Sequence, residues 1–540
     1  MRPADERPAA GVPVAALAVA WIAIGAWLRL SQFGDQIVIE DEWHALHRIV
    51  ESGARAIFTS FGSNDYSIPL ALYDRLLMAR GALTEWTLKA PMLVCGLVLV
   101  ALAPLIFADV ADRATRALLA GLLAVSPLLV YFTNTARPYA ITVPATMVAV
   151  IVVRKWWQRG GRRWAAAYVV ATWIAGWLHP ITLGFTLLPL PYFWLAALRS
   201  AIGSRDLRPL ARLVAIGIVV VAALAPVLGP PLYYDWSALA EKAGQHAVTL
   251  ESVYRTLLLL AGTASPWALG AVLALAAVGA IALARRDAGS VFYVSTLIAV
   301  FALMVGATHA IWIGHPLVQA RYLLPALPFL LLAAAAGAVT VTRRIGGEPA
   351  VVAAIVAVPA VLLLAGPLPR MLHEPNQFLG HMRWQFDYDD AHNPYVTLVP
   401  PTPMPAFYDE LAKRPPGSVT LVEMPWSHES QFNPLPFYQQ RHRQRVRIGL
   451  ETGVCGERTA GEYPAAATGI RLANFVHLSS LLEGRTAGAD YLIVHKTLWA
   501  IPAGNRRPWP DMRACLPAIA ARFGSPVFED PDIVVFALAK

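Results

Sequence analysis

Apolar residues come in runs of about twenty along the first two-thirds of the chain, the length that crosses a bilayer as a helix. Eleven such runs predict eleven spans: 11–30, 87–108, 117–133, 138–153, 164–179, 181–198, 211–229, 257–284, 290–308, 321–341 and 350–368. The connections between them alternate in character. One set is short and basic: Arg113 and Arg116, the segment from Arg154 to Arg163, Arg199 to Arg212, Arg285 with Arg286, and Arg343 with Arg344. Basic short loops mark the cytoplasmic side, so the N-terminus is expected in the cytoplasm and everything after about residue 369 outside it. The other set holds the long loops. Residues 31–86 carry amphipathic pieces expected as interfacial helices, and residues 229–256 are rich in aromatic and polar groups.

After residue 368 the pattern changes. Apolar runs shorten to strand length in SVTLVE (418–423), RVRIGL (445–450), YLIVHK (491–496) and IVVFAL (533–538). Residues 406–413, 470–482 and 511–523 read as helices between them. The prediction is a transmembrane domain over 1–368 and a soluble extracytoplasmic α/β domain over 369–540.

Composition agrees: 57% of residues are hydrophobic and 15% charged, against roughly a quarter charged in soluble proteins. The formal net charge is +9, but the basic residues punctuate apolar runs and form no single patch, which excludes nucleic acid as a partner. Three cysteines, none in a Cys-x-x-Cys pair, exclude a disulfide scaffold or a zinc site. Cys455 and Cys515 both fall in the outer domain, where one bridge is compatible with the compartment. The first apolar run lacks a small-residue cleavage site and is expected to be retained as a span.

The densest chemistry lies just after that span, in IEDEWHALHR (39–48). Glu40, Asp41 and Glu42 are followed by His44, His47 and Arg48. On a helix, residues three and four apart share a face, so Glu40 and Asp41 neighbour His44, and His44 neighbours Arg48. Acids also favour the first turn of any helix. Crowded like charges raise one carboxylate's pKa, which suits a general base, and would equally suit a divalent cation at Glu40, Asp41 and Glu42.

Four segments, in order, resemble the membrane glycosyltransferases of the GT-C fold, in the branch of the protein O-mannosyltransferases and the lipid A aminoarabinose transferase. They are IEDEWHALH, SIPLALYDRLLMARGALTEWTLKAPMLVCGLV, SPLLVYFTNTARPYAI and HPLVQARYLLPALPFLLLAAAAG. The resemblance covers residues 11–341. It implies transfer of a sugar from a polyprenyl-phosphate donor to an extracytoplasmic lipid, glycan or protein acceptor, in the inner membrane of a bacterium. It places the acceptor base at Asp41, with Glu42 and Glu40 as alternatives. Lys89, Arg137 and Arg321 are the implied ligands of the donor phosphate, with Tyr139 and Tyr322 beside them. His44, His179 and His315 are candidate cavity residues. The family's His before the Pro-rich helix is missing, with Tyr66 and Ser67 in that region. Thr135 stands where an acid often precedes Ala-Arg. A glycan ligase using a lipid-diphosphate donor needs similar cations. A transporter is disfavoured by the absence of internal repeats and of charges deep within the spans.

Overall fold

The computed structural model describes residues 14–31, 33–38, 41–62, 67–372, 375, 404–425, 435–451, 469–496 and 512–538. The helices of the first part are α1 (Val14–Leu30), α2 (Asp41–Glu51), α3 (Ala54–Phe58), α4 (Ile68–Ala79), α5 (Glu85–Ile106), α6 (Arg113–Ala124) and α7 (Pro127–Thr133). There follow α8 (Tyr139–Arg159), α9 (Arg162–Leu178), α10 (Thr182–Leu187), α11 (Pro189–Ser204), α12 (Arg208–Tyr234) and α13 (Trp236–Ala240). The last are α14 (Leu250–Ala261), α15 (Pro266–Ala307), α16 (Pro316–Leu323) and α17 (Leu327–Ala365).

Among the described residues, six helices are long and apolar enough to cross a membrane, seven if the bent pair α6 and α7 counts as one span. The chain is a multi-pass membrane protein. Large apolar side chains such as Trp27, Leu105, Ile218 and Val221 point outward, as a lipid-facing surface requires. At two of the basic loops expected between spans the helical backbone breaks, so α15 and α17 are each two helices joined at a kink. In α15 the break is at Asp287 (φ −153°, ψ 80°), whose carboxylate accepts from the Ser290 N–H at 2.9 Å and caps the second half. In α17 it is at Gly346 and Gly347, the latter at φ 65°, open to glycine at little cost.

Two boundaries differ from expectation. The span predicted at 257–284 is divided: α14 ends at Ala261 and Gly262, at φ 72°, turns the chain before Pro266 opens α15. The run at 117–133 is bent by 56° where Pro127 ends α6. The carbonyls freed there are taken by Arg29, fully buried at the end of α1, which donates to Ala124 O and Leu123 O, each at 3.0 Å. This bend sends α7 toward the loop that carries Arg137.

The C-terminal part holds a sheet in the order β3-β2-β1-β4-β6-β5, from β1 (Thr420–Met424), β2 (Arg445–Leu450), β3 (Phe475–His477), β4 (Tyr491–His495), β5 (Phe528–Glu529) and β6 (Ile533–Ala537). The pairs β1–β2, β1–β4 and β2–β3 are parallel; β6 runs antiparallel to β4 and to β5. Side chains on one face (Leu421, Ile448, Ile493) join the core continuous with the membrane part. Those on the other face (Val422, Leu492, Val494) form a second core with Ile519 of the helix Leu516–Phe523. The helix expected over 470–482 is instead β3 followed by a short helix, Leu478–Leu482. The polar run RHRQR (441–445) is partly core: His442 and Gln444 are buried, because Gln444 caps neighbouring carbonyls and accepts from the Val419 N–H. Cys515 is disulfide-bonded; Cys455 and His428 lie outside the described residues.

Candidate active site

The acidic segment becomes a helix with one apolar stripe. Trp43, Leu46 and Ile49 are buried at the spacing of a helix face. Asp41 opens α2, and Glu40 lies outside the described residues. Glu42 is 1% exposed, and its Oε1 accepts from the backbone N–H of Ala136 at 2.5 Å.

Ala136 belongs to the turn between α7 and α8. Pro138 disfavours helix at the residue before it, so α7 stops, and Asn134 and Thr135 hydrogen-bond back to Val130 O and Tyr131 O. The resulting turn presents the Ala136 N–H to Glu42 and carries Arg137 as the next residue. A close approach of α5 supports it, since a Cβ at Gly96 would fall 2.3 Å from the Thr133 hydroxyl.

Lys89 stands one turn into α5, whose start is fixed by a reciprocal capping box between Thr84 and Thr87. It does not reach outward to the interface. It is fully buried, donates to Gln36 O at 3.3 Å, and feels the charges of Glu42 and Glu85. A buried ammonium of this kind needs such carboxylates.

The other predicted residues gather around one ring. The Arg321 guanidinium carbon lies 5.5 Å from the Tyr139 ring centroid and 5.1 Å from that of Tyr322, within cation–π range. The Arg137 guanidinium lies 6.0 Å from the same Tyr139 ring. The His179 ring is 5.3 Å from Tyr139 and 5.7 Å from Tyr322. Arg137, Tyr139, Arg321 and Tyr322 are all buried. Residues from the α7–α8 turn, the end of α9 and α16 thus meet in one place.

His315 caps α16, its Nδ1 accepting from the Leu317 N–H at 3.2 Å. His44 is half-buried on α2. His309 is exposed. Asp235 accepts from the Ser60 hydroxyl at 2.6 Å and from the Gly62 N–H at 3.1 Å, tying the two long loops together. Among the described residues no group of three or more His, Cys, Asp or Glu could hold a metal ion.

Some residues had no signal in the sequence. Glu85 accepts from the Asn474 N–H at 3.0 Å, and the Asn474 side chain donates to Asp35 O. Trp43 stacks on Phe475 of β3 with centroids 4.9 Å apart. Asp74 of α4 is 3% exposed, its Oδ1 has no hydrogen-bond partner among the described residues, and burial holds its carboxyl well above the usual range.

No family model matches this sequence, and no curated protein does. Among solved structures, the chain is similar to ArnT from Cupriavidus metallidurans in the apo state, at 13% identity and TM-score 0.44, covering 98% of this chain and 99% of that one. It is similar to ArnT bound to undecaprenyl phosphate at 15% identity and TM-score 0.43, over 97% and 98%. The oligosaccharyltransferase AglB from Archaeoglobus fulgidus, in complex with an inhibitory peptide and a dolichol-phosphate, follows at 11% identity and TM-score 0.40, over 89% and 69%. These are GT-C fold glycosyltransferases. At such identities they stand as likenesses, and the function rests on the side chains.

Proposed function

We propose that this chain is a membrane glycosyltransferase that moves a sugar from a polyprenyl-phosphate donor onto an extracytoplasmic lipid, glycan or protein, at the outer face of a bacterial inner membrane. The observation that carries this reading is the gathering of buried Arg137 and Arg321 around Tyr139, with the buried Glu42 carboxylate of α2 bonded to the adjoining turn. Cations gathered in a low-dielectric site suit a leaving phosphate, whose charge grows as its bond to the sugar breaks.

Asp41 is the acceptor base, at the start of α2 next to Glu42. It takes the proton from the acceptor hydroxyl, whose oxygen attacks the anomeric carbon. The bond from that carbon to the phosphate oxygen breaks, and the carrier leaves as polyprenyl phosphate. Arg137 and Arg321 receive its charge, and Lys89 adds to the field. Tyr139 and Tyr322 hold the two guanidiniums in place. Glu42 is the positioning carboxylate that fixes the Arg137 turn and balances Lys89.

The test is transfer by the purified protein in nanodiscs, offered labelled polyprenyl-phosphate sugars, matching diphosphate donors and a membrane extract. Transfer from the monophosphate donors, unaffected by chelator and weakened in donor affinity by Arg321→Ala, is the expected result. Transfer from diphosphate donors alone would establish the ligase instead. A protein that binds neither donor is not a glycosyltransferase of this class.

A further inference from the structure

α8 joins two sites. Tyr139 opens it at the candidate active site, and Arg154, Lys155 and Arg159 lie on its last turns. Fifteen residues of helix separate Tyr139 from Arg154, about 22 Å along the axis, so the two sites lie at opposite ends of α8. At the far end is a cavity of about 380 Å³ between α5, α8, α15 and α17. Its walls are apolar, with Val150, Ile151, Val294, Ile298 and Leu330 among them, and its mouth is basic.

The charges at the mouth do not cancel. Arg154 is spoken for: it pairs with Asp287 at 2.9 Å, and Asp287 also caps α15. Lys155 and Arg159 share one carboxylate, Asp109, at 2.9 and 4.0 Å. The three cations and two acids leave one positive charge. Arg159 also lines a neighbouring polar pocket with Arg162 and Arg212, so the basic rim continues past the cavity. All of these belong to the connections whose charge marks the cytoplasmic side.

We propose that this cavity binds an anionic glycerophospholipid of the cytoplasmic leaflet. One acyl chain lies along Val150, Val294 and Ile298, and the phosphate lies between Lys155 and Arg159. A basic opening between membrane helices on this side is suited to an anionic headgroup. The apolar depth excludes a free phosphate as sole occupant, and the surplus charge disfavours a zwitterionic headgroup. The volume is that of a pocket for one chain-sized ligand, within the roughly 300–1,000 Å³ of small-molecule sites, which disfavours a full-length polyprenyl tail.

The experiment is native mass spectrometry of the detergent-purified full chain, titrated with phosphatidylglycerol, phosphatidylcholine or undecaprenyl phosphate. Wild type is expected to retain phosphatidylglycerol in preference to phosphatidylcholine. Lys155→Ala and Arg159→Ala should each weaken that adduct about fivefold, while leaving undecaprenyl-phosphate binding unchanged. Ile298→Trp, which fills the apolar depth, should weaken both glycerophospholipids. Equal retention of the two headgroups, or a preference that survives Lys155→Ala/Arg159→Ala, overturns the proposal. Undecaprenyl-phosphate binding that falls in the same double variant would give the cavity to the carrier lipid instead. Phosphatidylglycerol binding unchanged in Ile298→Trp would remove the acyl chain from the cavity.

Discussion

Glu42→Gln separates a base from a brace. The amide keeps the shape of the side chain, and its oxygen can still accept from the Ala136 N–H. What is lost is the charge. A hydrogen bond to a charged group contributes about 1.5–3 kcal/mol and a neutral one about 0.5–1.5, so that contact weakens by roughly 1 kcal/mol. Lys89, fully buried, keeps Glu85 but loses the other of the two carboxylates acting on it, adding a cost of the same order. Glu42→Gln should therefore lower stability by about 2 kcal/mol and raise the donor KM as the Arg137 turn loosens, with kcat held within about tenfold of wild type. Asp41→Asn should do the reverse, lowering kcat about 10²–10⁴-fold with donor binding intact. The assay is a detergent melting curve on each variant beside steady-state transfer at varied donor concentration. If Glu42→Gln melts and binds donor like wild type but loses about 10²-fold or more in kcat, Glu42 is the base and Asp41 is not.

Asp74 predicts a pH dependence. Its carboxyl is raised in the folded protein by burial, so its stabilising contribution is complete below the ordinary carboxylate range and is lost as pH rises through the raised value. Melting temperature followed upward from about pH 4 should fall in wild type and fall less in Asp74→Asn; parallel curves would refute the assignment. In the C-terminal part, burial brings the His442 imidazole down from 6.5 to about 3. The unfolded chain binds the proton first, so acid should cost up to ~1.4 kcal/mol per pH unit across that window. His442→Asn, able to accept from the Gln444 N–H as Nδ1 does, should flatten the acid limb of a urea-unfolding series. Removing the Trp43–Phe475 stack should cost about 3–5 kcal/mol for Trp43→Ala, with a coupling of about 0.5–1.5 kcal/mol to Phe475→Ala in a double-mutant cycle. A coupling of zero would mean that the rings do not meet.

The helical architecture was legible because its signal is local. A twenty-residue apolar run and a basic loop are read without knowing what lies beside them. Even the kinks at Asp287 and at Gly346–Gly347 fall where charged loops were expected. The gathering at Tyr139 was approachable only through motifs, since positions 137, 179 and 321 share no periodicity and meet through packing. The bond from Ala136 N–H to Glu42 could not be found that way, because every non-proline residue has an N–H and nothing in its side chain marks it. β3 was hidden for a different reason: three residues are too few to display an alternating pattern, and the adjoining LSSLL drew the whole segment toward helix. The burial of His442 and Gln444 is not legible in their polarity, because bonds to backbone groups are what hold them inside.

That hidden strand changes what the C-terminal part is for. Glu42 and Trp43 are adjacent on α2, the first bonded to the Arg137 turn and the second stacked on Phe475. Glu85 and Lys89 lie one turn apart on α5, and Glu85 is held by the Asn474 N–H. Arg471 N–H donates to Leu83 O at 2.7 Å, and Gly469 sits so close to Met78 that a Cβ there would overlap its carbonyl. The segment from 469 to 475 therefore grips both elements that deliver a charged residue to the candidate site. A tethered appendage would leave those helices free to shift when the domain is perturbed. In this chain a side chain lost from Phe475 bears on the position of Glu42 through the adjacent Trp43, so donor affinity should respond to Phe475→Ala.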